Sequence, residues 1–246
     1  MKNLLFALTF SLFALTSFSQ SESDTTVTDL SQTGNKKLKK DDFFVNEIFS
    51  DIWQKTPTSP ADLKTKALNR GYNAYFMFDN PLGKSDISLA FGIGVSVHNM
   101  YSNCMPFEIV DTAGKATGKT EFTAISDNIK YTKNKLTLLY GDIPFEIRFR
   151  TKHYPNNFKF AIGIKAGYLL QSHIKYEGDK LDGKSGTIKY KSYDIPNIEK
   201  LRYSVTARIG IGRYSISGAY SLSTLFKGDK GPEMFPISVG IAITPF

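Results

Sequence analysis

The chain's 246 residues suffice for one barrel or two small domains. A mean hydropathy of −0.23, with no later apolar run near the ~20 residues a spanning helix needs, excludes a helical membrane protein. It does not exclude a strand-built one, whose inward polar residues cancel the outward apolar ones. The net charge of +8 raises nucleic acid as a partner, and the single cysteine, Cys104, rules out an intramolecular disulfide.

Lys2 followed by LLFALTFSLFALTSF reads as the charged and apolar regions of a signal peptide over residues 1–19. Cleavage is expected after Ser19, and with no cysteine nearby a lipid anchor is not. Export removes nucleic acid from the partners and leaves the positive charge as ordinary surface charge or as a match to anionic lipid headgroups or a polyanionic glycolipid. Residues 20–41 are polar, lack periodicity and carry Lys36, Lys37, Lys39 and Lys40, the composition of a flexible periplasmic lead-in.

The first strand, DFFVNEIFSDIW from Asp42 to Trp53, admits two phases. Phe44, Ile48 and Ile52 are placed outward, because the opposite phase would put Glu47 and Asp51 in lipid. KTPTSPADLKTK carries two prolines and reads as a loop. The second strand, about Leu68 to Phe78, turns Tyr72, Ala74, Phe76 and Phe78 outward and Asn73 and Tyr75 inward. DNPLGKS is a short turn. The third, about Asp86 to Tyr101, sets Ile87, Leu89, Phe91, Ile93, Val95 and Val97 against Ser88, Ala90, Gly92, Gly94, Ser96 and His98.

Residues 102–134 form a long polar connection with the pattern of its own hairpin, PFEIV and TEFTAI around AGKATGK. The fourth strand, about Leu136 to Arg150, places Leu139, Ile143, Phe145, Ile147 and Phe149 outward. Tyr140, Asp142, Pro144, Glu146, Arg148 and Arg150 point inward, and Pro144 predicts a bulge or one missing ladder bond. KHYPNN is a short turn. The fifth strand, Asn157 to Tyr176, has the longest alternation: Phe158, Phe160, Ile162, Ile164, Ala166, Tyr168, Leu170, Ile174 and Tyr176 are outward. Lys159, Lys165, His173 and Lys175 lie on the other face, with Leu169 breaking the pattern.

Residues 177–199 make another long loop. Strands six (about Leu201 to Ile211) and seven (about Tyr214 to Phe226) meet at a tight Gly212-Arg213 turn, with Arg202 and Arg208 inward. KGDKGPEM is the last loop, and Phe235 to Phe246 the last strand. Short and long connections alternate as in an outer-membrane barrel. The predicted fold is therefore all-β: an eight-stranded antiparallel up-and-down transmembrane β-barrel over residues 42–246, with short periplasmic turns and long extracellular loops. The even count depends on the first strand.

LLYGDIPFEIRFR resembles the "YLEIPLxLKY" strand of the PorT-like outer-membrane β-barrel family. FFVNEIFSDIW, RGYNAYFMFDNPLG and KGPEMFPISVGIAITPF are similar to segments of chains grouped as porin-family proteins in Gram-negative gliding bacteria. The resemblance covers most of residues 42–246. It implies an eight-stranded outer-membrane barrel, with some members tied to a secretion and gliding apparatus and no catalytic signature. Phe246 resembles the terminal aromatic read by the barrel-assembly machinery, although Pro245 shifts it off the parity of the preceding apolar residues.

The inward charges form the candidate site: Glu47, Asp51, Asp142 and Glu146 against Arg148, Arg150, Lys159, Lys165, Arg202 and Arg208. An eight-stranded lumen is only wide enough for its own side chains, so these charges are expected to pair into a plug. The expected role is non-enzymatic, structural or partner-binding in the cell envelope, with recognition through loops 102–134 and 177–199. Outer-membrane lipid, lipopolysaccharide and an envelope protein are the expected partners. The alternatives are a narrow pore for small anions, or an outer-leaflet lipid hydrolase built on His98 and His173 with Ser96 or Ser172. Three scattered histidines and one cysteine give no metal cluster, and no cofactor is expected.

Overall fold

The computed structural model describes residues 44–60, 62–83, 85–151, 157–193 and 195–244. The expected signal peptide, lead-in and lysine run lie outside the described residues, as do most of the KHYPNN turn and Phe246 with Pro245.

Among the described residues eleven strands follow one another: β1 (Phe44–Lys55), β2 (Asn69–Pro81), β3 (Ile87–Tyr101), β4 (Cys104–Val110), β5 (Ala116–Ala124), β6 (Tyr131–Arg150), β7 (Phe158–Asp179), β8 (Thr187–Tyr193), β9 (Leu201–Ile211), β10 (Tyr214–Ser221) and β11 (Met234–Ile243). Eight of them pair in the order β6-β3-β2-β1-β11-β10-β9-β7, and β7 pairs back onto β6, which closes the sheet into an antiparallel barrel. The first strand settles the count. β1 pairs with β2 on one side and β11 on the other, and without it the ring would be open.

Each barrel strand presents one apolar row outward. Ile48 (64% exposed), Ile93, Ile143, Ile164, Ile216 and Ile241 stand exposed in the isolated chain, while Asp51, Asn69, Ala90, Ser96 and Asp142 are buried. Burial of the small and charged row with exposure of the branched apolar row is the reverse of a soluble protein's pattern, and it is what a lipid-facing wall demands. β1 takes the phase with Glu47 and Asp51 inward; Val45, Phe49 and Trp53 accompany them into the barrel.

One end of the barrel has short connections. The β9–β10 link is a two-residue loop with Gly212 at φ 60°, the first central position that such hairpins reserve for glycine. Pro144 sits in β6 without a shift of register. The β3–β6 ladder instead skips its pairs between Phe91↔Phe145 and Gly94↔Asp142, where the proline has no N–H to donate.

At the other end β6 and β7 run past the barrel, longer than the alternation alone indicates. β8 adds to the edge of β7, and β4 and β5 form their own hairpin. The seventh strand stops at Ser221 rather than Phe226, because Leu225 and Phe226 turn in to be buried.

One part of the sequence reading is corrected. The β6–β7 register slips by one between Leu139↔Gln171 and Tyr140↔Leu169, a bulge at Leu170. One extra residue exchanges the two faces of everything beyond it. Ile174 and Tyr176, expected outward, are buried inside, and Lys175 and His173, expected inward, face out.

Candidate functional site

The lumen is a stack of polar tiers, each built by inward positions of neighbouring strands. Nearest the short-turn end, Glu146 on β6 accepts hydrogen bonds from Arg148 Nε (2.8 Å) and Arg208 Nη2 (2.6 Å). Arg150 pairs with Asp79 and donates to Ser88 Oγ at 3.2 Å, and Lys159 Nζ lies 3.4 Å from Thr244 Oγ1.

In the middle tier Arg202 Nη2 reaches both oxygens of Asp142 at 3.1 Å and Ser96 Oγ at 2.7 Å, with its guanidinium 4.1 Å from the Tyr140 ring centroid. Lys165 Nζ lies 3.5 Å from Asp142 Oδ2 and donates to Tyr75 Oη, which itself donates to Asp142. Glu47 accepts from Asn73 Nδ2 at 2.6 Å. In the upper tier Asp51 accepts from Ser238 Oγ at 2.6 Å and faces His98 Nδ1 at 2.8 Å.

The ten charged residues singled out from sequence thus divide among tiers. Opposite charges meet within hydrogen-bond reach in two of them. Asp79 belongs to the same set and escaped the sequence reading, which assigned it to a turn. Its signal was parity: Asn73, Tyr75, Met77 and Asp79 lie on one face of β2, and β2 runs on to Pro81.

Gaps between and within the tiers are small. One between the lower and middle tiers, lined by Glu47, Tyr75, Glu146, Lys165 and Arg208, holds ≈ 20 Å³, and another within the lowest tier, lined by Arg148, Arg150, Lys159 and Thr244, holds ≈ 20 Å³. That is space for a water molecule and not for a hydrated ion. Gly167 is part of the fit, since a Cβ there would collide with Asp142 Oδ1. Gly167→Ala is expected to displace that carboxylate from Arg202 and cost about 1–3 kcal/mol, read as a lower urea midpoint of the folded barrel.

Above the tiers the barrel is closed by an apolar plug in which Trp53, Leu63, Met100, Leu136, Leu138 and Phe226 are all buried. The long connections build it and hold each other. Phe122 of β5 meets Phe226 edge-on at 5.6 Å, Thr120 N donates to Lys230 O, and Asn197 Nδ2 donates to Thr120 Oγ1. Cys104 lies within this cluster, where burial above all pushes its thiol up and keeps it protonated.

The residues of the hydrolase alternative do not meet. His98 is buried in the upper tier, whereas His173 lies against Tyr193 on the outer face, the rings tilted by 46° with 5.5 Å between centroids. Among the described residues no group of three or more His, Cys, Asp or Glu is placed to hold a metal ion.

The sequence matches the family model for the outer membrane protein beta-barrel domain over residues 49–227. Among solved structures it is similar to Ail, the attachment invasion locus protein of Yersinia pestis, in complex with the heparin analogue sucrose octasulfate. The identity there is 12%, the TM-score 0.32, and the match covers 82% of this chain and 96% of that one. A search of curated proteins gives no match.

Proposed function

Because the chain belongs to the outer membrane protein beta-barrel domain family, we propose that it is a non-catalytic, non-conducting outer-membrane barrel that presents a rigid extracellular cap to a protein partner in the cell envelope. The observation that carries this reading is the double seal: ion-paired tiers fill the lumen, and the apolar plug closes the end where loops 102–134 and 177–199 interlock. A barrel whose interior is spent on its own packing has its outer surface left for recognition.

The hairpin of β4 and β5 supports recognition there. It exposes Phe107 (51%) midway along β4 and Val110 (59%) near its tip, apolar side chains that the cap itself does not bury. The resemblance of LLYGDIPFEIRFR to the PorT-like strand points to a secretion- or gliding-associated assembly as the partner. Export by the 1–19 segment, with cleavage after Ser19, and insertion by the barrel-assembly machinery through the C-terminal strand complete the proposal.

Two measurements test it. The purified protein in planar bilayers is expected to give no single-channel conductance, and steps that change with Arg148→Ala or Arg208→Ala would replace this reading with a pore. Co-purification from native outer membranes is expected to recover one stoichiometric envelope protein that is lost with Phe107→Ser and Val110→Ser. Recovery of nothing, from wild type and variant alike, would contradict a recognition role.

A further inference from the structure

The bulge at Leu170 has an effect on the outer wall. Beyond it the outward face of the sheet changes from apolar to basic. The last apolar outward positions are Val97 on β3, Leu139 on β6 and Leu170 on β7. The next outward row is polar, Asn99↔Thr137↔His173↔Tyr193, and the row after it is Tyr101↔Lys135↔Lys175↔Lys191 across four neighbouring strands.

Three lysines therefore sit directly opposite one another in consecutive cross-strand pairs. Like charges so placed destabilise a sheet. Lys135 Nζ donates to Asn99 Oδ1 and lies over the Tyr101 ring, with Lys66 beside the same ring. Glu177, one row higher, is taken by Lys189 at 3.1 Å. Among the described residues Lys135, Lys175 and Lys191 make no ion pair with a carboxylate.

Height identifies the missing counter-charge. Two residues along a tilted strand rise about 5 Å, so the lysine row, four residues beyond Leu139 and Val97, stands about 10 Å above the apolar band. The polar headgroup layer is about 5–8 Å deep on each side of a bilayer, so lysine side chains anchored at that height reach back to its phosphates. We propose that Lys135, Lys175 and Lys191, flanked by Lys66 and the Tyr101 ring, form a binding site for the phosphate groups of an anionic outer-leaflet glycolipid. The proposal rests on the outer-membrane reading above and adds a defined lipid contact to it. A phosphate spanning two lysines converts a repulsive row into an attractive one, at a point on the wall that the hydrocarbon does not reach.

The test uses the full-length protein folded in detergent, then offered vesicles containing either bisphosphorylated lipid A or its dephosphorylated form. Native mass spectrometry is expected to show retained lipid A only in the phosphorylated case, with retention falling about fivefold for Lys175→Gln and about a hundredfold for Lys135→Gln, Lys175→Gln and Lys191→Gln together. A second readout separates binding from fold damage. In neutral detergent the triple variant is expected to be as stable as the parent or more so, since repulsion is relieved, while in bisphosphorylated lipid A the parent is the more stable. Equal retention of both lipids by a barrel that has inserted overturns the site alone. Failure to insert into either vesicle overturns the site and the outer-membrane reading together.

Discussion

Asp142→Ala is expected to lower the stability of the folded barrel by about 3–5 kcal/mol, measured as the urea midpoint of the folded gel band. The carboxylate is buried and is held by Arg202 through both oxygens, by Lys165 and by Tyr75, so its removal leaves two cations in a sealed interior without the carboxylate they contact. The exposed pair Lys184–Asp182, at 3.5 Å, serves as the control. Asp182→Ala is expected to change stability by less than about 0.5 kcal/mol, because water already solvates both partners. Replacing Asp142, Lys165 and Arg202 together with apolar residues of similar volume should recover a large part of the loss, since a buried ion pair or triad exchanged for apolar groups is often close to neutral. An Asp142→Ala barrel as stable as its parent would mean that the lumen is wet and the tiers are not a plug.

The second large effect concerns the outer wall. Ile164 lies midway along the apolar row of β7, paired with Phe145 on β6 and Val205 on β9, and Phe158 lies at its short-turn end. Ile164→Arg is expected to cost about 2–4 kcal/mol in lipid vesicles and Phe158→Arg about 0–1 kcal/mol, because the penalty for a lipid-facing cation falls from midplane to interface. Transfer to detergent micelles should shrink the difference between the two. Equal costs at both positions would remove the hydrocarbon gradient on which the orientation of the wall depends.

The alternation that carries most of the fold is legible in single strands. Ile87 to His98 and Leu201 to Ile211 assign their own faces, since a period of two with branched residues on one parity and serine, glycine or arginine on the other has one solution in a barrel. Pro144 was legible too, as a lost ladder bond. The phase of β7 past Leu170 was not, although its cause is visible: Leu169 and Leu170 are adjacent apolar residues where the alternation permits only one.

A single inserted residue leaves the composition unchanged while exchanging the faces. Tyr176 and Ile174 read as lipid-facing because an apolar side chain suits lipid and a capped interior equally well. The same ambiguity hid the basic row, since Lys175 was assigned to the lumen. The charged tiers were legible as a set of inward residues. Which charge meets which was not, because pairing between strands β6 and β9, or β2 and β6, depends on the closed ring rather than on any one strand's pattern.

The central claim is that one parity of the wall faces hydrocarbon and that the faces exchange at Leu170. With Cys104 replaced by alanine, single cysteines can be placed in turn at residues 160 to 176 of β7 and labelled with a fluorophore in vesicles containing brominated lipid. Positions 160, 162, 164, 166 and 168 are expected to be quenched by lipid while 161, 163, 165 and 167 are not. Beyond the bulge, 173 and 175 should react with water-borne reagent while 174 and 176 stay protected. Even-numbered positions shielded from both lipid and water would place a second protein layer against the wall and contradict the account.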